Sequence, residues 1–149
     1  MTKIGFVDSS IILRHLLKEP NPYLSFEKFD HLFSSELLEL EVKRTIDRFR
    51  LGHLWPDSDV NHRLTLFYNL TSGFSTIPLQ TPVIRRASNP FSVPIKSLDA
   101  IHLATAMIIR EDIREPIIFL THDQKLAEIA LSSGFEVEGI SSFKKSIKN

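Results

Sequence analysis

The chain has 149 residues, of which 42% are hydrophobic, enough to bury a sizeable core and too many for a disordered polymer. Its 18 basic and 18 acidic residues cancel, so contact with nucleic acid has to come from a local basic patch and not from a global field. There is no cysteine, which excludes a disulfide framework, a thiolate zinc site and a cysteine nucleophile.

Ile4-Gly5-Phe6-Val7 is a short continuous apolar run, the pattern of a strand buried on both faces. No charged-then-apolar leader precedes it, so a secretory signal is not expected. Ser9 or Ser10 can cap a helix over 11–18, which Glu19-Pro20-Asn21-Pro22 stops. A second helix is expected over 23–32, then a very short strand at Phe33-Ser34. Ser34 or Ser35 caps a helix over 36–50, in which Leu38, Val42, Ile46 and Phe49 recur at helical spacing as the buried face. Residues 52–56 break the chain; a helix starts at Asp57 or Ser58, reaches about Leu70 and ends in the turn Thr71-Ser72-Gly73. A third strand is expected over 74–78, a short helix over 81–87 and a proline-rich loop over 88–94. Ser97 is expected to cap the next helix, which is apolar nearly all round and therefore central and buried. Residues 117–121 read as the clearest strand, 124–133 as a helix ended by Gly134, and 135–137 as a last short strand. The tail from Ser142 is basic and expected to fray. The longest apolar helical stretch, 98–109, contains Asp99, His102 and Thr105 and is too short to span a bilayer. Strands alternating with helices, without repeat or linker, predict one α/β domain over 1–149. It is a three-layer α/β/α arrangement with a central, mainly parallel sheet, in a soluble cytoplasmic protein.

Acidic residues mark the junctions of this pattern. Asp8 follows the first strand, Asp123 follows the strand over 117–121, Asp99 opens the central helix, and Glu41 lies on the helix over 36–50. Each has an ordinary structural explanation, as a helix cap, a partner of the helix dipole or a surface ion pair with Arg44. Jointly they point elsewhere, because strand-to-helix junctions of a doubly wound sheet share one edge. Carboxylates gathered there repel one another unless a cation joins them, and a divalent cation with oxygen ligands points to phosphate chemistry. No Gly-x-Ser-x-Gly elbow, Gly-rich phosphate loop or His-Glu-x-x-His motif offers another route. His102, flanked by apolar residues, reads as a satisfied core or interface histidine, and His122 as a solvated loop residue.

These segments resemble the PIN domain family. Phe6-Val7-Asp8-Ser9-Ser10 is similar to its opening strand, which ends in Asp followed by a small hydroxyl residue. Ser35 to Arg44 resembles its Ser…Leu…Glu-x-x-Arg helix, with Glu41 as the acid. Ser97-Leu98-Asp99-Ala100-Ile101-His102-Leu103-Ala104-Thr105-Ala106 resembles its Asp-Ala…Ala-x-Ala helix, and Thr121-His122-Asp123 its Thr-x-Asp segment. The branch most like this chain is that of VapC-type toxins of toxin–antitoxin pairs. The resemblance implies a Mg²⁺- or Mn²⁺-dependent endoribonuclease, dimeric, inhibited by a small antitoxin whose tail fills the groove. Asp8 and Asp99 are then the direct metal-ligand candidates, with Glu41 and Asp123 acting through water or completing a second site when RNA arrives. Hydrolysis by metal-activated water would leave a 5′-phosphate and a 3′-hydroxyl. Ser9 and Thr121 would orient carboxylates, Arg44 would position Glu41, and Lys43, Arg48 and Arg14 join it as phosphate-contact candidates. Two other classes stay open: a PIN-like module that binds RNA or protein without cutting, and a metal-dependent phosphohydrolase of small molecules.

Overall fold

The computed structural model describes residues 1–141, so the expected fraying from Ser142 lies outside the described residues. β1 (Ile4–Val7) is buried along its whole length. It pairs in parallel with β2 (His31–Ser35) on one side and with β4 (Ile118–Leu120) on the other. β3 (Phe74–Ile77) lies outside β2 and β5 (Glu136–Glu138) outside β4, so the order is β3-β2-β1-β4-β5 with every pairing parallel. Parallel neighbours require long crossovers, and helices supply them. Successive strand residues point to opposite faces. Ile4, Phe6 and Phe119 meet one layer, made by α5 (Ser97–Ile113) and α6 (Gln124–Ser132). Val7, Ile118 and Leu120 meet the other, made by α1 (Ser9–Leu16), α2 (Leu37–His53) and α3 (Asp57–Thr71). α4 (Thr81–Ala87) packs beside α5. The expected three-layer α/β/α architecture is thus present.

The core is anchored by aromatic rings. Phe6 and Phe119 are wholly buried and stack at 5.5 Å, and Phe135 tilts against Phe119 at 5.7 Å. Burial of each such side chain contributes about 1.5–3 kcal/mol. On α2, Leu38, Val42 and Ile46 are buried as their spacing requires, while Phe49 is half-buried and stacks on Trp55. Among the described residues no helix is long and apolar enough to cross a membrane.

Several boundaries differ from the sequence pattern for identifiable reasons. The expected helix over 23–32 is absent: only a 3₁₀ turn forms at Phe26–Lys28, and the chain then enters β2. Pairing with β1 overrides local preference, since His31, Leu32 and Phe33 register against Ile4, Gly5 and Phe6. Asp30 reinforces this by accepting the Lys3 amide at 2.6 Å. α1 begins two residues early, at Ser9, because Asp8 and neither serine is the cap. α2 continues through Gly52 to His53. The cap of α5 is Lys96, with Ser97 already its first residue.

Sheet order fixes where ligands can sit. The chain builds outward from β1 through β2 to β3, then returns across β1 to lay down β4. The switch point is the crevice at the carboxyl ends of β1 and β4, where doubly wound sheets bind ligands. The pairing extends past the strands themselves: Asp8 N–H donates to the Leu120 carbonyl, and Thr121 N–H to the Glu138 carbonyl, both at 3.0 Å. Gly139 then turns away with φ of +105°, and a Cβ there would lie 2.3 Å from the Thr121 carbonyl oxygen. Gly139→Ala is expected to cost about 1–3 kcal/mol in backbone strain, with the carbonyl clash added. A urea titration checks this, and a midpoint equal to the parent's would mean that the turn absorbs the methyl group.

Candidate active site

Asp8 leaves β1 and caps α1, and one of its oxygens, Oδ2, gathers every donor it has. Ser10 Oγ donates at 2.6 Å, Thr121 Oγ1 at 2.9 Å and the Ser10 amide at 3.4 Å. Oδ1 stands outside this network among the described residues. Thr121, fully buried just beyond β4, also accepts the Asp123 amide at 3.0 Å, so one hydroxyl fixes two acidic residues. Asp123 caps α6, its Oδ1 accepting the Leu126 amide at 2.9 Å. The capping explanation of these two aspartates is therefore correct, and it does not compete with a site. Capping occupies some of a carboxylate's lone pairs and leaves others for a ligand.

Glu41 lies on the second turn of α2. Ser9 Oγ donates to its Oε2 at 3.2 Å, and His102 Nε2 bonds its Oε1. Asp99 sits in the first turn of α5. Asp8, Glu41, Asp99 and Asp123 line one open cavity of about 360 Å³, together with Ser9, Ser10, Leu13, Lys96, Ser97 and Leu98. Burial and then the charges of Asp8 and Asp123 push the Asp99 carboxyl up to about 6, with Glu41 adding and His102 opposing. No lysine or arginine forms an ion pair with Asp8, Asp99 or Asp123 among the described residues.

The sequence places His102 in the core and gives it no further part. It is wholly buried, yet its ring reaches Glu41. Burial opposes its protonation, but the bond to Glu41 and the charges of Asp8, Glu41 and Asp99 outweigh that and raise its pKa. The available signal was its position three residues after Asp99, which puts both on one helix face. Lys96 was also missed; it stands at the same loop-to-helix junction as Asp99 and is the basic residue lining the cavity.

Other expectations change. Arg44 does not reach Glu41: its guanidinium pairs with Asp47 at 3.5 Å and lines a separate cavity with Lys43, Ile46, Asp47, Arg50, Val60 and Leu64. Asp47, one turn further along the exposed side of α2, is the nearer partner. Lys43 pairs with Glu39 and Arg14 with Glu19, and neither these nor Arg48 lines the acidic cavity. His122 is half-buried and not a solvated loop residue. Its Nε2 accepts the Tyr23 amide at 3.2 Å, so Nδ1–H donates to the Gly139 carbonyl at 2.8 Å. Burial lowers its pKa.

The donor set fits a hard divalent cation. All four acids offer oxygen, the ligand type that Mg²⁺ and Mn²⁺ prefer. Burial first, and then the charges of Asp8 and Asp123, raise the pKa of Asp99, and a cation would relieve the repulsive part. Among the described residues no three acidic or histidine side chains are grouped closely enough to hold a metal ion by themselves.

A family model described as the PIN domain matches residues 5–131. The chain is similar to Ribonuclease VapC47 of Mycobacterium tuberculosis (strain CDC 1551 / Oshkosh), with 39% identity over 137 residues, covering 87% of this chain and 92% of that protein. It shares its fold with the crystal structure of VapBC2 from Rickettsia felis bound to a DNA fragment from their promoter. The TM-score is 0.62 at 14% identity, over 91% of this chain and 97% of that one.

The charge cluster has a pH signature in metal-free protein. Asp99 titrates at about 6 when folded and at its ordinary 3.8 when not. The folded state therefore holds the proton more tightly, and its stability falls as pH rises from the lower value to the upper, with the penalty complete above it. Asp99→Asn removes this dependence. Melting curves in chelator from about pH 4 to pH 7 should show parent and variant diverging toward higher pH, with the variant more stable; parallel curves would contradict the cluster.

Proposed function

Since the chain belongs to the PIN domain family, we propose that it is a metal-dependent endoribonuclease, the toxin of a type II toxin–antitoxin pair. It hydrolyses RNA phosphodiester bonds and is held in check by a cognate antitoxin. The observation that carries this reading is the convergence of Asp8, Glu41, Asp99 and Asp123 on one cavity at the switch point of the sheet. The ribonuclease name of a 39%-identical relative supports RNA as substrate.

Asp8 and Asp99 would hold Mg²⁺ or Mn²⁺ directly, and Glu41 and Asp123 through water. When bound, the ion supplies an activated water and offsets charge on the scissile phosphate. The chain's own part is orientation. Ser10 and Thr121 fix Oδ2 of Asp8, and Ser9 holds Oε2 of Glu41. Lys96, at the rim, meets a phosphate of the incoming strand. The reading includes a homodimer, for which exposed Leu24 and Tyr68 offer apolar surface.

Asp8→Asn and Asp99→Asn keep side-chain shape and remove ligand charge. Each should lower Mn²⁺-dependent cleavage of RNA by at least about 100-fold while the protein stays folded. The assay runs RNA, DNA and a small phosphoester in parallel; parental rates in both purified variants would overturn the reading.

An acidic cavity also defines its inhibitor. A guanidinium is planar, always charged and matched to carboxylates. An antitoxin tail carrying Arg should inhibit by occupying the place of the cation, more weakly as Mg²⁺ is raised. Cleavage titrations with the parent peptide and its Arg→Ala form test this. Equal inhibition by both would assign the effect to steric blockage of the groove.

A further inference from the structure

We propose that His102 is a positioning residue: it donates Nε2–H to Oε1 of Glu41 and sets that carboxylate's orientation toward the cavity it shares with Asp8 and Asp99. The proposal rests on the reading of that cavity as a metal-dependent active site.

Three observations carry it. The first is burial. The imidazole is wholly closed off from water, while the Glu41 side chain is 20% exposed, so the ring works from behind and does not itself line the cavity. The second is restraint. The ring packs edge-on to Phe6 at 6.4 Å, and Phe6 is itself locked against Phe119, so the donor direction is fixed by the core. The third is an orphan. Nδ1 of His102 is buried with no hydrogen-bond partner among the described residues. Nε2 carries a hydrogen in either protonation state that makes this contact, so Nδ1 stays unsatisfied in both. A buried polar atom without a partner costs stability. A leucine would fill this apolar helix without that cost, so packing does not explain the ring, and its one bond to Glu41 does.

The bond has a second consequence. α2 belongs to one helical layer and α5 to the other, and the Glu41–His102 contact joins them over the carboxyl edge of the sheet. With Ser9 on Oε2 and His102 on Oε1, Glu41 is held through both oxygens from two different helices. A carboxylate restrained in this way needs little reorganisation to meet a hydrated cation.

The test compares H102L, H102Q and H102N, alone and with E41Q. The glutamine amide reaches the place of Nε2, whereas the shorter asparagine amide corresponds to Nδ1 and cannot reach Glu41. Mn²⁺ binding is read directly by calorimetry on full-length protein, with near-ultraviolet circular dichroism confirming the fold. H102L and H102N should weaken Mn²⁺ binding by about 10–100-fold. H102Q should restore most of it. In the E41Q background H102L should add little further loss, since its effect passes through Glu41. Cleavage kinetics should show the deficit in kcat at limiting Mn²⁺, with KM for RNA unchanged. Parental Mn²⁺ binding by H102L would overturn the proposal. So would H102Q behaving like H102N, or H102L losing as much in the E41Q background as alone. A parent chain that binds no Mn²⁺ would remove the metal reading of the cavity and the proposal with it; normal parental binding with an unaffected H102L removes the proposal alone.

Discussion

β1 is buried on both faces and paired along both edges, so the residue that follows it can emerge in one place only. That residue is Asp8, and its amide is still engaged with β4 through the Leu120 carbonyl. The same register delivers Thr121 to the neighbouring strand end, where its hydroxyl reaches Asp8 and the Asp123 amide. Two helices then start from these two aspartates, each capped by a carboxylate that also faces the cavity. Sheet pairing, helix capping and the gathering of charge are therefore one construction. A shift of β1 by one residue would move Phe6 out of its core, and Asp8 with it.

The same construction explains how repelling carboxylates are tolerated. Their strain falls on the few groups at the sheet edge, while the stabilising burial lies along the strands beneath. A rigid apolar base lets the edge hold an arrangement that is unfavourable in isolation. Hydroxyl groups soften the cost locally, with Ser10 and Thr121 on Asp8 and Ser9 on Glu41.

What the amino-acid order made legible was local. β1 and β4 announced themselves as short apolar runs, and the buried stripe of α2 as a 3.6-residue period. Asp8, Asp99 and Asp123 were legible because junctions are local features too, and Glu41 because it lies on a helix with a clear period. The lost element was the helix expected over 23–32, where β2 forms instead by pairing with a strand that precedes it by 27 residues in the register Ile4 to His31. Propensity carries no information on such a partner. Arg44 failed for a related reason: an i,i+3 pair with Glu41 and one with Asp47 look alike in sequence, and only packing decides which side of α2 is exposed. His102 was hidden by its surroundings, because an apolar flank marks a residue as core without saying what the ring touches there.

The strand order has a consequence during synthesis. β1, β2 and β3 lie within the first 77 residues and pair with one another, but β4 begins only at Ile118. As the chain leaves the ribosome, β1 keeps one edge open while about forty further residues are made, at roughly 5–20 residues per second. Over that interval Asp8 has neither the Leu120 carbonyl nor the Thr121 hydroxyl, and Asp123 has not yet been made. A nascent fragment thus carries the opening motif without an assembled centre. Whatever chemistry the finished edge performs is withheld from the translating ribosome until its last third has emerged and β4 has closed against β1.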